Sequence, residues 1–199
     1  MPDNRLTPLP GVANLTYEDA TILMNFEQLW IENVFWLRSF FRSALTNRPD
    51  LVTITNRVFQ GIPLDFYNEF SKYFGPDDSQ KFLNIFSRLV VTNWQLVNAY
   101  KSNDTATIDA STVQWYRISD ELADFLGGVN KFWDVNQLKG LFHEYIQLKI
   151  QEIIAFLKED YELETQIFNE IENKAIRLAI YMAMGIIARQ AQVRMQPPF

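Results

Sequence analysis

The sequence predicts an all-α fold, an up-down helical bundle made of three helical hairpins and so of six helical segments. Three observations carry the prediction. Apolar residues recur at intervals of three and four, the period of one helix face. Glycine numbers only 7 in 199 residues, fewer than the turns of an all-β chain require. Trp30, Phe86 and Leu141, which anchor the first helix of each hairpin, stand about 55 residues apart, a spacing typical of repeated helical pairs. Short turns make consecutive helices antiparallel neighbours, which is the up-down arrangement.

The elements follow in order. Residues 1–15 contain three of the eight prolines and no periodicity, and read as an extended arm. Thr16 followed by Asp19 forms a capping box with Asp in the usual place of Glu. The first helix starts there, with Phe26, Trp30, Asn33, Leu37 and Phe41 along one face. It is expected to stop near Asn47, because Pro49 disfavours helical geometry in the residue before it. A second segment runs from about Pro49 to Phe74. Pro49 suits a first helical position and Asp50 suits the positive end of the dipole. Gly61-Ile62-Pro63 is expected to break or kink this helix, and Gly75-Pro76 to stop it.

The third segment starts at Asp77 or Asp78 and presents Phe82, Phe86, Leu89, Asn93, Leu96 and Tyr100. After the turn Ser102-Asn103-Asp104 the fourth shows Ile108, Trp115, Ile118, Leu122 and Phe125, with Gly127-Gly128 as its end. Asp134 is a good N-cap for the fifth, which carries Leu138, Leu141, Tyr145, Leu148, Glu152 and Phe156. Lys158-Glu159-Asp160 marks a tight junction. The sixth carries Phe168, Ile171, Ala175, Leu178, Met182 and Gly185 and runs to about Arg194. Residues 16–194 thus form one bundle domain, and 195–199 an irregular tail.

Composition narrows the function classes. The net charge is −6, so the basic footprint of a nucleic-acid binder is missing. There is no cysteine, hence no disulfide or thiolate chemistry. The N-terminal residues lack the apolar core of a signal peptide. No stretch approaches the ~18 apolar residues of a membrane span. These features lead to the expectation of a cytoplasmic protein.

A di-iron carboxylate centre, the usual chemistry of such bundles, needs Glu-x-x-His on two helices. The single histidine is His143, and Gly140 stands three residues before it, so the pattern cannot be made. No cofactor and no catalytic residue are expected. Dinucleotide, phosphate-loop and G-x-S-x-G signatures are absent as well. His143 and Glu144 are weak metal candidates. Adjacent helical residues point about 100° apart and chelate one ion poorly, so a boundary pair is expected, His143 in solvent and Glu144 partly covered between Leu141 and Leu148. Asn33 lies between Trp30 and Leu37, and Asn93 between Leu89 and Leu96. Two inward amides either bond one another or line a polar pocket, since buried polar groups are normally satisfied. Asn33, Asn93, Glu144 and Trp30 make up the candidate ligand-binding set. The acidic runs Asp120, Glu121, Asp124 and Glu159, Asp160, Glu162, Glu164 read as solvated faces.

The aromatic content is 15%, with Phe35, Trp36, Phe40, Phe41, Phe66, Tyr67, Phe70, Tyr73 and Phe74 close together. Two readings stay open: a wide buried stripe, or an apolar patch used for self-association or a partner.

Leu29-Trp30 with Val34, Trp36 and Arg38, then Asn56-Arg57-Val58, Leu96-Val97-Asn98-Ala99, Trp115-Tyr116 with Asp120-Glu121 and Phe125-Leu126, and Ile171-Glu172 with Ala175, Ala179, Met182 and Gly185-Ile186 together carry a likeness. Over about residues 27–190 the chain resembles a family of uncharacterised helical-bundle proteins from Firmicutes, some of them labelled acetylglutamate kinase. The resemblance implies a bacterial helical bundle. The kinase label has no support in the residues, because an amino-acid kinase needs an α/β sheet and glycine-rich phosphate loops. The family pattern has a histidine in the first helix of each hairpin; the matching positions are Asn33, Leu89 and Glu144, and all three depart from it. A metal site implied by the resemblance would therefore be lost here. The leading expectation is a non-catalytic structural or interaction protein that self-associates. A small-ligand or metal-binding bundle is the alternative, and a carboxylate enzyme the third reading.

Overall fold

The structure is a computed structural model that describes residues 15–194; the expected tail and all but the last residue of the expected arm lie outside that range. Its helices are α1 (Tyr17–Leu45), α2 (Leu51–Asn56), a π-turn (Arg57–Gly61), α3 (Ile62–Phe70), α4 (Pro76–Ser102), α5 (Thr105–Val129), α6 (Val135–Leu157) and α7 (Tyr161–Arg194). No strand occurs among the described residues. The molecule is an all-α helical bundle, and no described helix is long and apolar enough to cross a membrane.

Local chemistry accounts for the ends. The Thr16 side chain accepts from the Asp19 N–H while the Asp19 carboxylate accepts from the Thr16 N–H, so the capping box closes. Asp104, Asp134 and Asp160 each accept a backbone N–H three residues on, which satisfies donors that a helix start leaves free. Pro49 is not in the helix, which begins at Leu51 with Asp50 before it. Pro76, not Asp77, opens α4, and Gly127-Gly128 fall inside the last turn of α5, not beyond it.

The expected break at Gly61-Ile62-Pro63 is absorbed without interrupting the rod. Pro63 cannot donate to the carbonyl four residues back, and its ring crowds that carbonyl. The backbone widens instead into the π-turn, where the Ile62 N–H reaches the Arg57 carbonyl. A side chain on Gly61 would meet the Arg57 guanidinium folded across it, so glycine there leaves room for that arm.

The three hairpins share one turn. Asn47, Asn103 and Glu159 follow α1, α4 and α6 at a constant interval of 56 residues, with φ of 55°, 55° and 59°. Each is followed by an N–H that reaches back five residues: Arg48 to Ser43, Asp104 to Ala99 and Asp160 to Ala155, all at 3.0 Å. This left-handed stop caps the orphan carbonyls of a helix end. Asparagine tolerates the conformation, but glutamate does not, at a cost of roughly 1–2 kcal/mol. Glu159→Gly is therefore expected to raise stability by about 1 kcal/mol in chemical denaturation; a loss of stability would contradict the left-handed assignment.

The helices close into a ring in the order α1, α7, α6, α5, α4, α3 and back to α1, and α1 also touches α4 and α6. A helix surrounded in this way buries more than one stripe. Phe40 packs edge-on against Phe59, and Phe41 against Phe156 on another side. Phe66, Phe70 and Phe74 are buried with Phe82, Phe86 and Trp133 around them. The aromatic surplus thus fills the core for the most part; in that run of aromatics only Phe35 is exposed, at 55%. Trp133, in the α5–α6 connection, donates from its indole to the Met182 carbonyl at 3.1 Å. Its ring lies where a side chain on Gly185 would stand, so that glycine lets the connection dock on α7.

Candidate functional site

Three of the four candidate ligand-binding residues converge. Trp30 and Asn33 from α1 and Asn93 from α4 line one interior cavity, with Leu37, Phe86, Leu89, Val90, Trp115, Leu122, Phe142, Tyr145 and Ile146. The first helices of all three hairpins meet there, joined by α5. Asn33 and Asn93 do not bond one another. The Asn33 amide donates instead to the Tyr145 hydroxyl at 3.2 Å, and the cavity that Asn33 and Asn93 border has an almost wholly apolar wall, not the polar one expected. Burial, together with the negative charge of Glu152, pushes the Tyr145 phenol far up, so it stays neutral. The cavity is small, about 10 Å³.

Glu144 does not belong to this site. It is exposed and ion-paired with Lys174, and the next residue, Tyr145, takes the inward place. The 100° step per residue turns Glu144 away from the face on which Tyr145 and, one turn earlier, Leu141 are buried. His143 is partly exposed, 2.7 Å from Asp120 through Nε2 and edge-on to Tyr116. The acids of α5 go to separate partners: Asp120 to His143, Glu121 to Arg88 and Asp124 to Lys139. Among the described residues no group of three or more His, Cys, Asp or Glu is placed to hold a metal.

A second polar constellation is a buried ion network between α1, α6 and α7. Lys149 and Glu152 are both fully buried and 2.5 Å apart. Glu164, 1% exposed, takes a two-pronged bond from Arg38 at 2.8 and 2.7 Å. Arg38 Nε also lies 3.6 Å from Glu152 Oε1, and Arg42 lies 3.6 Å from Glu164. Three aromatic faces cover the cations: Phe41 under Lys149, Phe168 under Arg38 and Phe156 under Arg42. Burial raises the Glu152 carboxyl above the ordinary glutamate range, opposed by Lys149 and Arg38 and aided by Glu164. Glu152 was legible as an acid on an apolar face. Glu164 was misread as part of a solvated run, and Lys149 and Arg38 were not seen as its company, because partners on other helices leave no mark in local spacing.

Arg38 and Arg42 also face outward, into an open groove of about 600 Å³ between α1, α2 and α7. Its apolar side is Ile31, Phe35, Ile54 and Phe168, and its charged residues are Arg38, Arg42, Arg48, Glu32, Asp50 and Glu172. Phe35 stands edge-on to Trp36 at 5.3 Å.

The fold and these sites define the class: an all-α bundle with a paired ionic interior and a mixed apolar and charged groove. No protein-family model, curated protein or solved structure matches the chain.

Proposed function

We propose that this chain is a non-catalytic interaction protein that associates with a second copy of itself through the α1–α2–α7 groove. One observation carries the reading: an exposed aromatic, Phe35, sits among Ile31, Ile54 and Phe168, and both signs of charge surround them. An apolar centre rich in aromatics with arginine nearby is the composition of a protein interface. A rim of Arg42 and Arg48 with Glu32, Asp50 and Glu172 offers both signs of charge to an isologous contact, in which a two-fold axis sets the patch against its own copy. The interior charges support the same reading, because Lys149, Glu152, Glu164 and Arg38 are engaged with one another.

Light scattering or native mass spectrometry at micromolar concentration tests the proposal. The wild type is expected at twice the chain mass, and Phe35→Glu at the chain mass with unchanged helical circular dichroism. A wild type that stays at the chain mass sinks the reading. A dimer that survives Phe35→Glu places the interface elsewhere and sinks the assignment to this groove.

A further inference from the structure

We propose that the cleft where the second half of α7 meets the α3–α4 connection binds a small organic monoanion, a carboxylate with a short apolar chain. The cleft holds about 380 Å³, inside the roughly 300–1,000 Å³ range of small-molecule sites. α7 lines it with Ile186, Arg189, Gln190 and Val193, whose spacing puts them on one helix face. Lys72 and Tyr73 of the α3–α4 connection form the other side, and Glu18 of α1 and Arg194 complete it.

The charge on Arg189 selects an anion. Lys72 lies 2.6 Å from Glu69, and Arg194 lies 2.9 Å from Asp19, so both of those cations are matched. Arg189 forms no ion pair among the described residues. Its guanidinium sits over the Phe74 ring at 4.6 Å and gives one long bond, 3.4 Å, to the Tyr73 carbonyl. Phe74 is buried and stacked on Phe70 at 4.1 Å, so the cation rests on a rigid support before any ligand arrives. A guanidinium carries five N–H donors in a planar fork that matches a carboxylate. The unpaired positive charge is single, and Glu18, Asp19 and Glu69 stand at or beside the wall. That balance suits one negative charge and disfavours a phosphate dianion, which the acids would repel. Val193 is 65% exposed, with buried Ile186 two turns before it on the same face, and an apolar chain laid there removes apolar surface from water. Arg189 comes 21 residues after Phe168 of the self-association groove, about 30 Å along α7, so the cleft is separate from that groove.

Octanoate, titrated at millimolar concentration into the isotope-labelled full chain, tests the site by nuclear magnetic resonance. Saturable shifts are expected at the amides of Arg189, Gln190, Val193, Lys72 and Tyr73, with contacts from the octanoate methylenes to the Val193 methyls. Octanamide has the same chain without the charge, and Arg189→Gln removes the cation; each is expected to weaken binding by about tenfold or more, the scale of one charge-assisted hydrogen bond. Arg189→Lys keeps the charge but not the fork and is expected to fall between. No saturable shift with octanoate overturns the proposal, as do shifts centred away from these residues. Octanamide bound as tightly as octanoate, or a folded Arg189→Gln with unchanged affinity, overturns the role of Arg189. Inorganic phosphate bound more tightly than octanoate at the same residues overturns the choice of a monocarboxylate. If Arg189→Gln does not fold, the octanamide comparison and the contact pattern, both on the wild type, decide the matter.

Discussion

Glu152→Ala is expected to destabilise the fold by about 3–5 kcal/mol, the usual effect of removing one partner of a buried ion pair. Lys149 is fully buried, and its ammonium lies 2.5 Å from Glu152 Oε2 with the Phe41 ring 5.3 Å away. Without the carboxylate that cation keeps its desolvation cost and loses its main compensation. The double variant Lys149→Met/Glu152→Leu is expected to recover most of the loss, because apolar side chains of similar volume avoid the desolvation altogether. Urea denaturation of the single and double variants gives the coupling directly. Additive losses would show that the two groups do not interact as a pair.

The same carboxyl sets a pH dependence. Burial raises it above its ordinary value near 4.5, so the native state holds the proton more tightly than the unfolded chain does. Stability from this group is fully present below that value and falls as pH rises through the native one. Across that window the wild type should lose stability relative to Glu152→Gln, which has no proton to release. Parallel stability curves for the two proteins would refute the raised value.

Trp30→Ala is expected to cost about 3–5 kcal/mol, the range for truncating a buried aromatic in a core. Trp30 is 3% exposed and packs against Phe66 at 5.4 Å, Tyr145 at 5.7 Å and Phe142 at 6.3 Å. Its loss therefore loosens α1 from both α3 and α6. It also opens the interior cavity, and an unfilled cavity adds roughly 24 cal/mol per Å³ to the transfer cost. Trp30→Phe keeps an aromatic in place and should cost clearly less. A fall of under about 1 kcal/mol for Trp30→Ala, the scale of surface substitutions, would mean that α1 is turned differently in the bundle.

Much of the fold was legible one helix at a time. The Thr16–Asp19 capping box, the stops near Asn47 and Ser102, the Asp134 cap and the faces built on Phe82, Leu138 and Ile171 all depend on residues within a turn or two of each other. Intervals of three and four therefore found them. The hairpin repeat was visible through Trp30, Phe86 and Leu141. The left-handed turns sharpen it to 56 residues, and Glu159 hid the third of them because its residue type gives no hint of positive φ.

The candidate site was legible only in part. Asn33 and Asn93 stood out as amides on apolar faces, and both reach the cavity. Glu144 stood out in the same way and is exposed, because Leu141 and Leu148 at helical spacing marked the edge of the stripe and Tyr145 marked its centre. Trp30 and Trp115 were readable as core, but not as walls of one cavity. That property depends on what four helices bring together, and no window of one helix contains it.

By itself the amino-acid sequence determined the helical class, the hairpin repeat and most helix ends, because caps, turns and amphipathic faces are written in residues a few positions apart. Tertiary structure decided what lies between helices. It surrounded α1, so that Phe40 and Phe41 both entered the core. It set Lys149, Glu152, Arg38 and Glu164 against one another, and it aligned Asn33 with Tyr145 across 112 residues. The physical reason is that a side chain's cost or benefit on burial depends on its spatial partners, and those are set by how the ring of helices closes.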